Sequence, residues 1–133
     1  MRRIILLFVM FTLLLGGCKT TEITKENRKA LDYTVVSRSE IPPELLAVID
    51  ERRMEEFSMS YSLDGYLYIA VGYGMKNTGG YSVRVDEVYE TESNVGIHTT
   101  LIGPAAGEAV NKMATYPCIV VKLEYIDKKI IFE

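Results

Sequence analysis

The stretch that decides the fold is residues 63–73: Leu63-Asp64-Gly65-Tyr66-Leu67-Tyr68-Ile69-Ala70-Val71-Gly72-Tyr73. Apolar side chains alternate along it, so Leu67, Ile69 and Val71 are predicted to share one face of a strand. The Asp-Gly pair before this strand favours a two-residue hairpin turn, because both residue types tolerate positive φ. Residues 57–62 are therefore predicted to be the partner strand, and the fold to be antiparallel β.

The same alternation continues on both sides of this hairpin. Further strands are predicted at residues 32–37, 81–89, 95–102, 119–125 and 129–132. Short strands separated by turns predict an α+β, mostly β fold, an antiparallel β-sandwich or partly open barrel of about six to seven strands. One N-terminal helix is expected to begin at Pro42-Pro43, to end near Phe57 and to cover an open face or end. A single helical turn is predicted at residues 108–113.

The N-terminus has the layout of an exported bacterial lipoprotein. Arg2 and Arg3 precede an apolar run, residues 4–15, that is shorter than the roughly 20 residues of a membrane-spanning helix. Leu15-Gly16-Gly17-Cys18 then resembles a lipobox, which implies attachment of a diacylglycerol group with palmitate-type chains to the Cys18 sulfur and cleavage by signal peptidase II before Cys18. An ordinary secretory peptide and a retained anchor are the alternatives.

This reading divides the chain into three parts. Residues 1–17 are predicted to be the signal peptide, residues 18–30 a flexible tether and residues 31–133 a single β-rich domain. Loss of Arg2 and Arg3 leaves 13 basic residues against 18 acidic ones, a net charge of −5, which disfavours nucleic acid as a partner. The expected location is the bacterial cell envelope, with the domain held by lipidated Cys18 on the extracytoplasmic face of a membrane.

The sequence contains no recognisable catalytic constellation. His98 is the single histidine, and with Cys118 alone it does not make a metal site. Cys118 lies in an apolar strand and is interpreted as a buried core cysteine, although a hydrolase using Cys118 and His98 remains an alternative. We therefore predict a protein that is not an enzyme, with no catalytic residue, no metal and no cofactor.

The loop after the decisive strand is the best candidate for a binding site. Its glycines can adopt positive φ, and its remaining residues are small, polar or aromatic. It is interpreted either as a constrained hairpin loop or as a preformed recognition loop that meets a partner protein. The candidate partner-binding residues are Tyr73, Gly74, Asn77, Thr78, Gly79, Gly80 and Tyr81.

An ordered set of motifs resembles the C-terminal domain of the PrcB family. The set comprises a strand ending in glycine, a Thr-Gly-Gly-Tyr turn at Thr78–Tyr81, then Gly103-Pro104 and a late Tyr116-Pro117 before an apolar strand. The resemblance covers about residues 66–123. Two positions depart from the family's usual pattern, Asn77 in place of proline and Cys118 in place of an aromatic residue.

This resemblance implies a function. The PrcB family is named for a lipoprotein subunit of a bacterial surface protease complex, and its members are not known as catalysts. A non-enzymatic envelope lipoprotein that binds another envelope protein, in particular a protease complex, is the first hypothesis. The alternative is a loop-inserting protease inhibitor of β-sandwich type, because residues 77–81 are also similar to a loop of chagasin-type cysteine protease inhibitors.

Overall fold

The computed structural model of the chain describes residues 27–133. The predicted signal peptide, the lipid attachment at Cys18 and residues 18–26 of the tether lie outside the described residues. Within residues 27–133, no helix is long and apolar enough to cross a membrane.

Eight strands, one α-helix and one short 3₁₀ helix make up the described chain. In chain order they are β1 (Lys29–Ala30), β2 (Thr34–Val35), the 3₁₀ helix (Arg38–Glu40), α1 (Pro43–Arg52), β3 (Glu56–Leu63), β4 (Tyr66–Tyr73), β5 (Ser82–Glu90), β6 (Asn94–Ile102), β7 (Cys118–Glu124) and β8 (Lys129–Phe132). Seven of the strands were expected from the sequence, and β1 was not. Two residues assigned to the tether, Lys29 and Ala30, thus pair with β5.

The strands form two four-stranded sheets, ordered β1-β5-β6-β8 and β2-β7-β4-β3. We call them the first sheet and the second sheet. All neighbours are antiparallel except β6 and β8, which are parallel. The mostly β sandwich predicted from the sequence is confirmed, and the sheets do not close into a barrel.

The β3–β4 hairpin has the predicted turn. Eight residue pairs run without a register shift from Glu56 opposite Tyr73 to Leu63 opposite Tyr66. Asp64 and Gly65 close the hairpin with φ of 52° and 83°, the left-handed pair that a two-residue turn of this kind requires.

A hydrophobic core lies between the two sheets. Leu67 and Ile69 of β4, which were predicted to share one strand face, both pack there against Val88 of β5 and Ile97 of β6. The register of β5 against β6 shifts between Val85 and Glu87. The extra residue of such a bulge changes which face the following side chains occupy. Val88 therefore enters the same core.

A second cluster lies on the outer face of the second sheet, where α1 covers it. Leu45 and Ile49 of the helix pack against Phe57 and Val120. The helix ends at Arg52, not near Phe57 as predicted, because Phe57 is a strand residue opposite Gly72. The helical turn predicted at residues 108–113 is also wrong, since this segment is an irregular loop.

Candidate partner-binding loops

Two connections cross from one sheet to the other at the same end of the sandwich. Residues 74–81, the glycine loop, join β4 of the second sheet to β5 of the first. Residues 103–117, the long loop, join β6 of the first sheet to β7 of the second. The glycine loop is thus not a hairpin loop, because the strands that it joins lie in different sheets.

Hydrogen bonds tie the glycine loop to the long loop. The main chains of Lys76 and Thr115 exchange two bonds, of 2.8 and 2.9 Å. The Gly79 N–H donates to the Asn111 carbonyl at 2.9 Å, and the Thr115 hydroxyl donates to the Thr78 carbonyl at 2.7 Å. Four bonds over a few residues fix the backbone of the glycine loop, so its conformation is formed before any partner arrives.

The glycines at the two ends of this loop have positive φ, and each lies against a neighbouring segment. Gly74 has φ of 79°, and a Cβ atom there would lie 3.3 Å from the Met54 carbonyl oxygen. Gly80 has φ of 92°, and a Cβ atom would lie 3.0 Å from Cβ of Pro104 and 3.1 Å from Cγ1 of Val110. Any side chain at Gly80 would therefore strain the backbone and press on the long loop.

Gly79 differs from Gly80 both in its φ angle and in the space around it. Its φ lies outside the left-handed region, and a Cβ atom would have no atom within 4 Å. An alanine fits at Gly79 and does not fit at Gly80, so the two adjacent glycines form a matched pair for mutagenesis.

The two candidate tyrosines are half-buried and make contacts within the fold. The Tyr73 hydroxyl lies 2.6 Å from the Thr99 hydroxyl of the first sheet. The Tyr81 ring lies beside Gly103, where a Cβ atom would be 3.2 Å from Cε1 of the ring. Both rings therefore hold the loops in place, whereas Asn77 and Gly80 are exposed.

Sequence reasoning missed the apolar side chains exposed around these loops. Met75 and Ile102 are 39% exposed and Met113 is 61% exposed. Alanines of the long loop are exposed at the same end, namely Ala105, Ala106, Ala109 and Ala114. The available signal was an apolar composition in a segment without strand or helix periodicity, which is unusual for a surface loop.

The residues of the hydrolase alternative lie far apart in the fold. His98 alternates with the inward-facing Ile97 and Thr99, so it points out of the first sheet, where its Nδ1 lies 3.1 Å from Asp86. Cys118 shares a strand face with Val120 on the outer side of the second sheet. The two side chains are on opposite outer faces of the sandwich, which leaves no Cys–His pair.

The prediction of a buried Cys118 is wrong, because the residue is exposed. It is the first residue of β7, directly after the long loop. Desolvation by nearby protein atoms still raises the pKa of the thiol, with Arg38 lowering it and Asp50 raising it to smaller extents. A raised pKa leaves less thiolate at neutral pH, the opposite of what a nucleophilic cysteine needs.

Between residues 27 and 133 there is no group of three or more His, Cys, Asp or Glu side chains arranged to hold an ion.

The family model described as PrcB C-terminal matches residues 67–124. The match begins at the second residue of β4, ends at the last residue of β7 and includes both loops. Residues 67–124 form a PrcB C-terminal domain. Comparison with curated proteins and with solved structures gave no match.

The PrcB C-terminal domain supplies the two central strands of each sheet. These are β5 and β6 in the first sheet and β7 and β4 in the second. All four edge strands and α1 lie outside the matched segment. The glycine loop and the long loop are thus the only two connections by which the matched segment crosses between the sheets.

Proposed function

We propose that this protein is a non-enzymatic bacterial envelope lipoprotein that binds another envelope protein as an accessory of a protease complex. The observation that carries the proposal is the pair of loops in the PrcB C-terminal domain, which are tied together by main-chain hydrogen bonds and expose apolar side chains. The match to the PrcB C-terminal family supports an accessory role in a protease complex. Cys18, by its lipobox, would anchor the protein to the membrane.

The composition of this end of the sandwich suits protein binding. Met75 and Met113 are flexible and polarizable, and methionine is common on surfaces that adapt to a partner. Asn77 and the backbone around Gly80 add polar groups that are available for hydrogen bonds to a partner. Because the loops are already ordered, binding would cost little conformational entropy.

The proposal is tested by affinity capture of the intact lipoprotein from its native membranes, followed by mass spectrometry. A peptidase subunit should be recovered with the wild type and with Gly79→Ala, whose added methyl group meets no atom. It should be lost with Gly80→Ala, which strains the loop. Met113→Gln, which alters an exposed side chain without touching the backbone, should also reduce recovery.

Thermal unfolding of each variant separates loss of binding from loss of fold. Cooperative unfolding of Gly80→Ala together with lost capture supports the proposal. Equal recovery of the peptidase with Gly80→Ala, Met113→Gln and the wild type would show that these loops are not the binding surface. Mass spectrometry of the N-terminal peptide tests Cys18, since a free thiol there would contradict the lipid anchor.

The second candidate function is inhibition of a protease by loop insertion. It is favoured because the two loops lie side by side at one end of a β-sandwich. Together they would form one edge that inserts into the active-site cleft of a protease. It predicts dose-dependent slowing of a peptidase by the protein. Absence of inhibition across serine, cysteine and metalloproteases, with the complex still captured, would leave the accessory role alone.

A further inference from the structure

β3 is the one long edge strand among residues 27–133. It has eight residues, whereas the other edges, β1, β2 and β8, have two, two and four. Proteins commonly block exposed edges with short strands, Lys, Pro or bulges, because an open edge pairs with other chains. β3 contains neither Lys nor Pro, and its register against β4 is unbroken.

The hairpin geometry shows which main-chain groups of β3 face outward. Leu63 and Tyr66 flank a two-residue turn, so they form a hydrogen-bonded pair, and bonded pairs alternate with non-bonded ones along the hairpin. The outward N–H and C=O groups consequently belong to Glu56, Ser58, Ser60 and Ser62. The Tyr73 N–H points away from Glu56 and donates to the Pro117 carbonyl at 3.0 Å. Glu56 and Tyr73 are therefore a non-bonded pair, as this alternation requires.

No strand of the described chain pairs with this outer edge. β3 has β4 as its sole neighbour in the sheet, and the four residues with outward groups are all exposed. The helix α1 covers the other face of the sheet, on the side of Phe57.

A groove lies beside the edge, between the two sheets. It has a volume of about 400 Å³, and Glu56 and Ser58 of β3 line one wall. Val71 and Ile97 contribute apolar surface to it, and Phe132 of β8 lies on the opposite wall. A strand added to β3 would direct every second side chain toward this groove, since side chains alternate between the faces of a sheet.

The charges around the groove are mostly negative. Glu56 and Glu133 both line it. A second cavity of about 490 Å³ at the start of β3 is lined by Glu51, Glu55 and Glu56, with Arg52 as its basic residue. Basic groups on an incoming segment would therefore be favoured.

We propose that β3 binds an extended peptide segment of a partner protein as a fifth strand of the second sheet. Main-chain bonds to Glu56, Ser58, Ser60 and Ser62 supply affinity, and alternate apolar side chains fill the groove between β3 and Phe132. A Lys or Arg at the end of the segment meets Glu56 or Glu133.

The structure argues against a second copy of this chain as the occupant. The side chains that β3 itself carries on the groove side are Glu56, Ser58, Ser60 and Ser62, which suit neither an apolar floor nor an acidic rim. A partner segment of apolar and basic composition is the better match.

Ser60→Pro and Ser60→Ala form the test pair. Proline removes the serine hydroxyl and an outward N–H that the fold does not use, and it is tolerated on edge strands because that N–H is not needed. Alanine removes the same hydroxyl and keeps the N–H. The probe is a short fluorescent peptide alternating valine and threonine with arginine at both ends, titrated by anisotropy against the full-length lipoprotein in detergent micelles.

The wild type and Ser60→Ala should bind the probe alike, and Ser60→Pro should bind it about tenfold more weakly, because one main-chain bond is lost and its neighbours are displaced. Gly80→Ala should bind it normally, so failure of the proposed function and failure of this edge are distinguishable. A probe with glutamate in place of arginine should bind more weakly than the arginine probe.

Hydrogen exchange of the wild type tests the proposal even if Ser60→Pro does not fold. The probe should slow exchange at the amides of Ser58, Ser60 and Ser62, which face outward, more than at Phe57 and Met59. Any of four results overturns the proposal: no binding of the probe, equal affinity of Ser60→Pro, protection of these amides without peptide, or a dimer that Ser60→Pro dissociates.

Discussion

The hydroxyl groups of Tyr73 and Thr99 lie 2.6 Å apart and join the two sheets by a hydrogen bond. Tyr73 is the last residue of β4, directly before the glycine loop, and Thr99 is a buried residue of β6 with 8% exposure. The bond thus fixes the start of the glycine loop to the opposite sheet. It links the packing of the sandwich to the geometry of the proposed binding surface.

Tyr73→Phe should lower the free energy of unfolding by about 1 kcal/mol, because the buried Thr99 hydroxyl loses its partner. Urea unfolding measures the change. Thr99→Val removes the other hydroxyl, and the double variant should cost less than the two single changes together. Full additivity of the two single effects would mean that the hydroxyls do not interact.

Gly72→Ala should destabilise the fold by roughly 2–3 kcal/mol, the usual cost of forcing extra volume into a packed core. A Cβ atom at Gly72 would lie 2.1 Å from Cε2 of the buried Phe57, and moving that ring disturbs the packing of Leu45 and Ile49 beneath α1. Thermal or urea unfolding gives the comparison. Gly79→Ala is the control and should lie within about 0.5 kcal/mol of the wild type; a similar result for Gly72→Ala would contradict the close packing.

The hairpin and the inward faces of the strands could be predicted because they depend on local pattern. Alternation placed Leu67 and Ile69 on one strand face, which is the face that packs in the core, and Asp64-Gly65 marked the turn. The same alternation assigned Cys118 to a face of β7 but did not show that the residue is exposed there. Burial of a strand residue depends on what packs over it, which is a tertiary property.

The loops were predictable as candidates but not in their geometry. The glycines indicated a backbone with positive φ, and Gly74 and Gly80 have it. The contact of Gly80 with Pro104 joins residues far apart in the chain, and no local signal reports such a contact. The free edge of β3 was hidden for the same reason, since strand order depends on long-range pairing.

Acid should remove part of the stability through Glu90. Its carboxylate accepts a 2.8 Å bond from Lys128 Nζ, which also donates to the Thr91 carbonyl. The hydrogen bond to Lys128 lowers the pKa of Glu90 below its ordinary value of 4.5. A lowered folded-state pKa means that the contribution is complete above about pH 4.5 and is lost as pH falls through the lower folded value.

Glu90→Gln isolates this contribution from the titration of other carboxylates. The difference in free energy of unfolding between the wild type and Glu90→Gln should be largest near neutral pH and should shrink below pH 4.5. Urea unfolding over a pH series provides it. A constant difference across that range would show that the ion pair with Lys128 does not contribute to stability.

Cys118 should react more slowly with iodoacetamide in the native protein than after unfolding at the same pH. Desolvation raises the pKa of its thiol in the fold, and the thiolate is the reactive form. The native rate should therefore keep rising with pH after the rate of the unfolded chain has levelled. Cys118→Ser is the control, and an acylated Cys18 leaves that variant unlabelled. Faster alkylation of the native thiol would indicate an activated cysteine. The hypothesis of catalysis by Cys118 would then stand again, with a base other than the distant His98.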